Sequence, residues 1–110
     1  MSDLLQKYQD LINQTKIYPR EIGIEYCCIG LGGEGGEILN KLKKVLRDKG
    51  GVFDDEVKLQ LMDEASDVLW YVTALAQELG FTLDQVMEHN IQKLMGRRER
   101  GTLSGSGDNR

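Results

Sequence analysis

Long apolar runs, prolines and histidines are what this sequence most lacks. No hydrophobic stretch approaches the ~20 residues of a bilayer span, so no membrane partner is expected. The polar opening MSDLLQKYQD is not expected to act as a signal peptide. Pro19 is the only proline and His89 the only histidine. One histidine suggests no metal site, and His89 is read as a surface or supporting residue. The two cysteines, Cys27 and Cys28, are adjacent. Neighbours along a chain seldom reach disulfide geometry, and the pair lacks the spacing of a zinc knuckle or redox motif. They read as small core or interface residues, which fits a reducing, cytoplasmic location. An excess of positive charge is also missing. The net charge of −4 argues against a general nucleic-acid binder. It does not argue against an anionic ligand, because a bound metal inverts the local charge.

What is present fits one helical domain. The 110 residues suffice for one domain and hardly for two. Helical chains of this size often extend their core by oligomerising. Residues 3–17 read as an amphipathic helix, with Leu4, Leu5, Tyr8, Leu11 and Ile12 at helical spacing and Ser2 or Asp3 as cap. Pro19 marks the break after it. Residues 21–48 carry an apolar pattern interrupted by Gly30, Gly32, Gly33, Gly35 and Gly36. Each glycine costs a helix roughly 0.5–1 kcal/mol relative to alanine. The segment is therefore either a loop or a helix held by packing, its glycines admitting another backbone or a ligand. The helix is preferred because the pattern continues on both sides.

Gly50-Gly51 signals a turn, and Asp54 or Asp55 caps a helix over about 56–79 that Gly80 ends. Leu69, Val72 and Ala76 widen its apolar stripe beyond one short neighbour, which favours a homo-oligomer. Thr82 opens the last helix, with Gln85 placed for a capping box. Beyond Gly96 the chain is basic, then rich in glycine and serine: RRERGTLSGSGDNR. Residues 1–96 are taken as the domain, and 97–110 as a flexible tail able to close over the site.

Two acidic pairs stand out. Glu34 and Glu37 lie on the second helix, Glu64 and Asp67 on the third. Residues three apart share a helix face. Either pair alone would be an ordinary solvated face. Both lie against apolar residues, however, and packing the two helices side by side brings four carboxylates around one point. Four unpaired carboxylates repel, and at least one takes up a proton unless a cation intervenes. Clustered oxygen ligands suit Mg²⁺, with Mn²⁺ as a substitute, rather than Zn²⁺.

ExxE, a spacer and ExxD on successive helices resemble the all-α nucleoside triphosphate pyrophosphohydrolases, in particular the MazG-like family. The likeness runs from about Tyr26 to the C-terminus. It rests on LGGEGGEILNKLKKVLRD, EASDVLWYVTALAQELGFTLDQV and NIQKLMGRRERG, while SGSGDNR is similar to endings of small phage-type members. The many glycines of the first metal helix depart from the pattern, and nothing before about residue 20 contributes a motif.

The resemblance implies an all-α bundle of four to five helices completed by oligomerisation, as a homotetramer of two dimers or a homodimer. It implies Mg²⁺ held by Glu34, Glu37, Glu64 and Asp67, and hydrolysis between the α- and β-phosphates of a nucleoside triphosphate. It further implies phosphate handling by Asn90, Lys93 and Arg97. Arg98, Arg100 and Arg110 are candidates to close over the phosphates. Either Glu34 or Glu37 would activate the water. Trp70 or Tyr71 would stack on the base, unless they serve packing. A deoxynucleotide-pool role with a lean to guanine is expected. Phosphoribosyl-nucleotide or nucleoside diphosphate hydrolysis, and a non-enzymatic helical oligomer, are the alternatives.

Overall fold

A computed structural model describes residues 2–110, with only the backbone of Ser2. Among the described residues the fold has four helices, α1 (Ser2–Gln14), α2 (Gly23–Asp48), α3 (Asp55–Glu78) and α4 (Leu83–Arg100), with one 3-10 turn at Arg20–Ile22. There is no strand among the described residues. The chain is all-α, and no described helix is long and apolar enough to cross a membrane.

The boundaries follow local chemistry. Asp3 lies inside the first turn of α1 rather than capping it, and capping by the Ser2 side chain lies outside what is described. α1 ends at Gln14, earlier than the apolar pattern suggests, where the Thr15 hydroxyl donates to the Leu11 carbonyl at 2.8 Å. Asp54 caps α3 by accepting from the Val57 amide at 2.8 Å. Gly80, at φ +86°, closes α3 in the left-handed conformation that glycine adopts freely. The Phe81 amide then donates to the Ala76 carbonyl at 2.8 Å. Thr82 and Gln85 form the expected capping box of α4. α4 does not stop at Gly96 but runs through Arg100 to Gly101.

The segment rich in glycine is helical throughout. Only one of its five glycines meets a neighbour: a Cβ on Gly30 would run into the Tyr71 ring, whereas Gly32, Gly33, Gly35 and Gly36 face open space. Packing at Gly30 and along the flanking apolar residues therefore sustains the helix against its glycine content.

α2 and α3 form an antiparallel pair that makes most of the tertiary contacts, and α1 lies against α3 and α4. Ile12, Tyr18, Cys27 and Ala74 are the buried centre, with Tyr8, Trp70, Tyr71 and Leu75 packed around it. Cys27 is buried, Cys28 exposed, and both are free thiols. Gln9, almost fully buried, fastens α1 to the start of α4. Its amide nitrogen donates to Asp84 at 2.9 Å, and its oxygen accepts from the Leu83 amide at 2.9 Å. Glu78 anchors the α1–α2 connection. It accepts a short hydrogen bond from the Tyr18 hydroxyl, and Arg20 and Lys16 lie 3.8 and 4.0 Å away.

Candidate metal centre and its flanking cleft

The α2–α3 register decides which side chains meet. Gly30 touches Tyr71, Lys41 touches Glu64, and Val45 and Val57 are buried toward the turn. Residues of α2 and α3 that face each other thus sum to about the same number, as antiparallel neighbours must. The two acidic motifs fall opposite each other in this register.

Glu34, Glu64 and Asp67 each offer a carboxylate oxygen, and the three oxygens lie within 4.8 Å of one another. Glu34 and Glu64 are half-buried and Asp67 is exposed. Burial, and then the charges of Asp67, Glu64 and Glu37, push the Glu34 carboxyl above its ordinary range. The Lys41 ammonium stands 3.7 Å from Glu64 and offsets part of this charge. Ligands held at 2.0–2.1 Å sit at most about 4.2 Å apart across an octahedral ion. A small inward movement of side-chain oxygens would therefore suit a hard divalent cation, and the all-oxygen donor set fits Mg²⁺ or Mn²⁺.

Glu37, expected as a fourth ligand, is not part of this group. Its side chain is exposed and lines a separate groove with Lys41 and Lys44.

A cleft of about 330 Å³ opens beside the acid group, with Glu34 and Asp67 in its wall and Tyr18, Tyr26, Trp70 and Tyr71 around it. Tyr18 and Tyr26 stack at 4.9 Å, and Trp70 meets Tyr71 edge-on at 5.0 Å. The Trp70 indole donates to the Thr15 hydroxyl at 3.0 Å, which fixes the ring. Trp70 and Tyr71 therefore both line this cleft. Tyr18, Tyr26 and Thr15 were not identified from sequence. Their part in the cleft depends on how the α1–α2 connection folds over α3, and no local pattern signals that.

Lys93, Arg97 and Arg100 of α4 are engaged elsewhere. Lys93 and Arg97 both face Asp108, at 3.2 and 3.4 Å. Arg97 is almost fully buried, a position its sequence neighbours do not suggest. The tail, expected to be flexible, folds back onto α4. Arg110 donates to the carbonyls of Thr102, Leu103 and Gly107, and the Arg100 guanidinium donates to the Arg110 carbonyl at 2.7 Å. Asn90, Arg98 and His89 are exposed on α4. α4 makes no contact with α2 among the described residues.

Residues 25–102 match the family model described as the MazG nucleotide pyrophosphohydrolase domain. The chain is similar to the Gene 37 protein of Mycobacterium phage L5, with 46% identity over 109 residues, covering 94% of this chain and 96% of that protein. No solved structure matches.

Proposed function

This chain belongs to the MazG nucleotide pyrophosphohydrolase family, and we propose that it hydrolyses nucleoside triphosphates to nucleoside monophosphate and pyrophosphate. The observation that carries the reading is the meeting of Glu34, Glu64 and Asp67 within 4.8 Å beside an aromatic cleft. These three carboxylates would hold Mg²⁺, or Mn²⁺ in its place. When bound, the ion supplies a Lewis acid and a template for phosphate oxygens, which an acidic site could not otherwise attract.

The chain's own groups do the rest. Glu34 or Glu37 would orient the attacking water and take its proton. The water oxygen bonds to the α-phosphorus as the bond to the α–β bridging oxygen breaks. Pyrophosphate leaves with that oxygen and its electron pair. Trp70 and Tyr71, with Tyr18 and Tyr26, hold the base in the cleft.

A multimer completes the fold in this reading. The chain presents 7966 Å² of surface, against about 6,100 Å² for a compact monomer of its mass. Its radius of gyration is 16.8 Å, where about 13 Å is usual for this length. Large apolar side chains stand in the open on both central helices, with Ile29 75%, Leu39 67% and Met62 62% exposed. Leu69 is exposed too, whereas Ala76 is buried within the chain. A second copy would cover such a face, as a dimer or a tetramer of two dimers. Asn90, Lys93 and Arg97 would then approach the phosphates from a neighbouring copy, after release from Asp108. The tail, Arg110 included, would move with that release.

Deoxynucleoside triphosphates are the preferred substrate class, in control of the nucleotide pool, with guanine as the leading base. The free thiols fit the reducing cytoplasm, the host's if the gene is a phage's. A pyrophosphate-release assay across the common nucleoside and deoxynucleoside triphosphates, with and without Mg²⁺, tests this. Mg²⁺-dependent turnover strongest for deoxynucleotides is expected. Activity confined to nucleoside diphosphates or phosphoribosyl-nucleotides would overturn the substrate class. Absence of any hydrolysis would leave a helical oligomer.

A further inference from the structure

The acid group has a second neighbour besides the aromatic cleft. Toward the α2–α3 turn lies a groove of about 170 Å³ lined by Glu37, Asn40, Lys41, Lys44, Lys49 and Gln60. Its lysines differ in how they are held. Lys49 faces Asp54 at 3.5 Å, and Lys41 faces Glu64 at 3.7 Å. Lys44 has no ion-pair partner among the described residues. Asp48, at the far end, is held by Arg47 at 2.7 Å.

The seam between α2 and α3 therefore has a direction. Aromatic rings come first, then the three carboxylates, then the lysines. A nucleoside triphosphate has the same order of chemistry, running from base through α-phosphate to the β- and γ-phosphates. We propose that Lys41 and Lys44 receive the pyrophosphate end of the substrate within the same chain. The proposal rests on the reading that the α-phosphate sits at the acid group.

Helix geometry supports it. Lys41 lies seven residues beyond Glu34, about 10.5 Å along the axis, and returns to nearly the same face. Side chains on a helix tilt toward its N-terminus, so Lys41 and Lys44 lean back toward Glu37 and Glu34. A flexible lysine stem spans what remains. Lys41 already answers negative charge at the rim of the acid group. Within one chain Lys93 and Arg97 face Asp108 on a helix that makes no contact with α2, so they would reach the phosphates only from a neighbouring copy.

Pyrophosphate and nucleoside monophosphate separate the possibilities, since only pyrophosphate reports on the β and γ positions. The full chain is compared with K41M, K44M and the K93M/R97M double variant. Pyrophosphate binding is measured by calorimetry in Mg²⁺, and inhibition by each product is measured kinetically, with circular dichroism as the folding control. K41M and K44M should each weaken pyrophosphate about tenfold, the scale of one charge-assisted hydrogen bond, and leave monophosphate inhibition unchanged. K44M breaks no ion pair of the fold, so it stays informative should K41M fail to fold. The proposal is overturned if pyrophosphate binds K44M and folded K41M as it binds the wild type and is lost only in K93M/R97M. It is also overturned if monophosphate weakens in parallel. A wild type that hydrolyses triphosphates while K41M and K44M bind pyrophosphate normally sinks the lysine groove alone. A wild type that neither hydrolyses a triphosphate nor binds pyrophosphate sinks the function as well.

Discussion

Gly30 and Tyr71 are in such close register across the α2–α3 seam that a methyl group on Gly30 would occupy the space of the tyrosine ring. That contact seats Tyr71, which lines the aromatic cleft, and fits the register that sets the two acidic motifs opposite each other. Gly30→Ala should therefore destabilise by about 1–3 kcal/mol, as overpacking does, and move Tyr71. Denaturant unfolding checks the first effect and tyrosine fluorescence the second. In a double-mutant cycle with Tyr71→Ala the two losses should not add.

The glycines of α2 that face open space make the opposite prediction. Gly32 and Gly36 face open space at helical φ. Gly32→Ala and Gly36→Ala should each raise stability by roughly 0.5–1 kcal/mol. Stability that rises while turnover falls would mean that a substrate or a neighbouring copy approaches this bare surface. Stability that falls would contradict the open surface beside Glu34.

Removing a carboxylate of the trio should separate folding from activity. Asp67→Ala takes away one of three like charges, so the metal-free fold should not lose stability through that change in charge, whereas Glu64→Ala also removes the partner of Lys41. Turnover should drop by about 10²-fold or more, the scale expected when several kcal/mol of charge stabilisation are lost. Circular dichroism and pyrophosphate release are the paired measurements. Retained activity in either variant would refute the metal assignment.

Glu34 supplies a signed pH dependence. Its folded-state pKa is raised above the ordinary 4.5 by burial and by neighbouring carboxylates. Between the two values the fold binds more protons than the unfolded chain. The stability of the metal-free protein should therefore fall as pH rises through that window and recover on acidification. Glu34→Gln should flatten the slope, and saturating Mg²⁺ should do the same by favouring the ionised carboxylate. Thermal melts from pH 4 upward in chelator decide it. A difference between wild type and Glu34→Gln of opposite sign would mean that the trio does not repel.

Glu78 makes a purely structural prediction. It accepts from Tyr18 and faces Arg20 and Lys16, and its side chain is 17% exposed. Glu78→Ala should cost about 1–3 kcal/mol by leaving these groups without their acceptor. It should also loosen the Tyr18–Tyr26 stack on the cleft wall. Thermal unfolding and the affinity for nucleotide should move together. A variant as stable as the wild type would show that α1 is held by its other contacts.

How much of this was legible in the sequence follows the range of the interactions. The Thr82–Gln85 box, the Asp54 cap and the Gly80 stop are local, so their residue types suffice to read them. The ExxE and ExxD pairs were legible because three-residue spacing fixes a shared helix face. Glu37's exclusion from the trio was not, since it depends on the register and rotamer chosen across two helices. Tyr18 and Tyr26 join the cleft through contacts with α3 some fifty residues away. Gly96 looks like a stop, but α4 passes through it, and the helix instead closes at Gly101, with Arg97 buried beneath the returning tail. That burial depends on Asp108 and Arg110, which no helical pattern links to Arg97.

Phosphorus NMR of the products formed from dGTP and Mg²⁺ tests the central claim most directly. Wild-type protein should yield nucleoside monophosphate and pyrophosphate in equal amounts, with neither formed by Asp67→Asn or in chelator. Release of nucleoside diphosphate with orthophosphate, or undiminished turnover by Asp67→Asn, would contradict it.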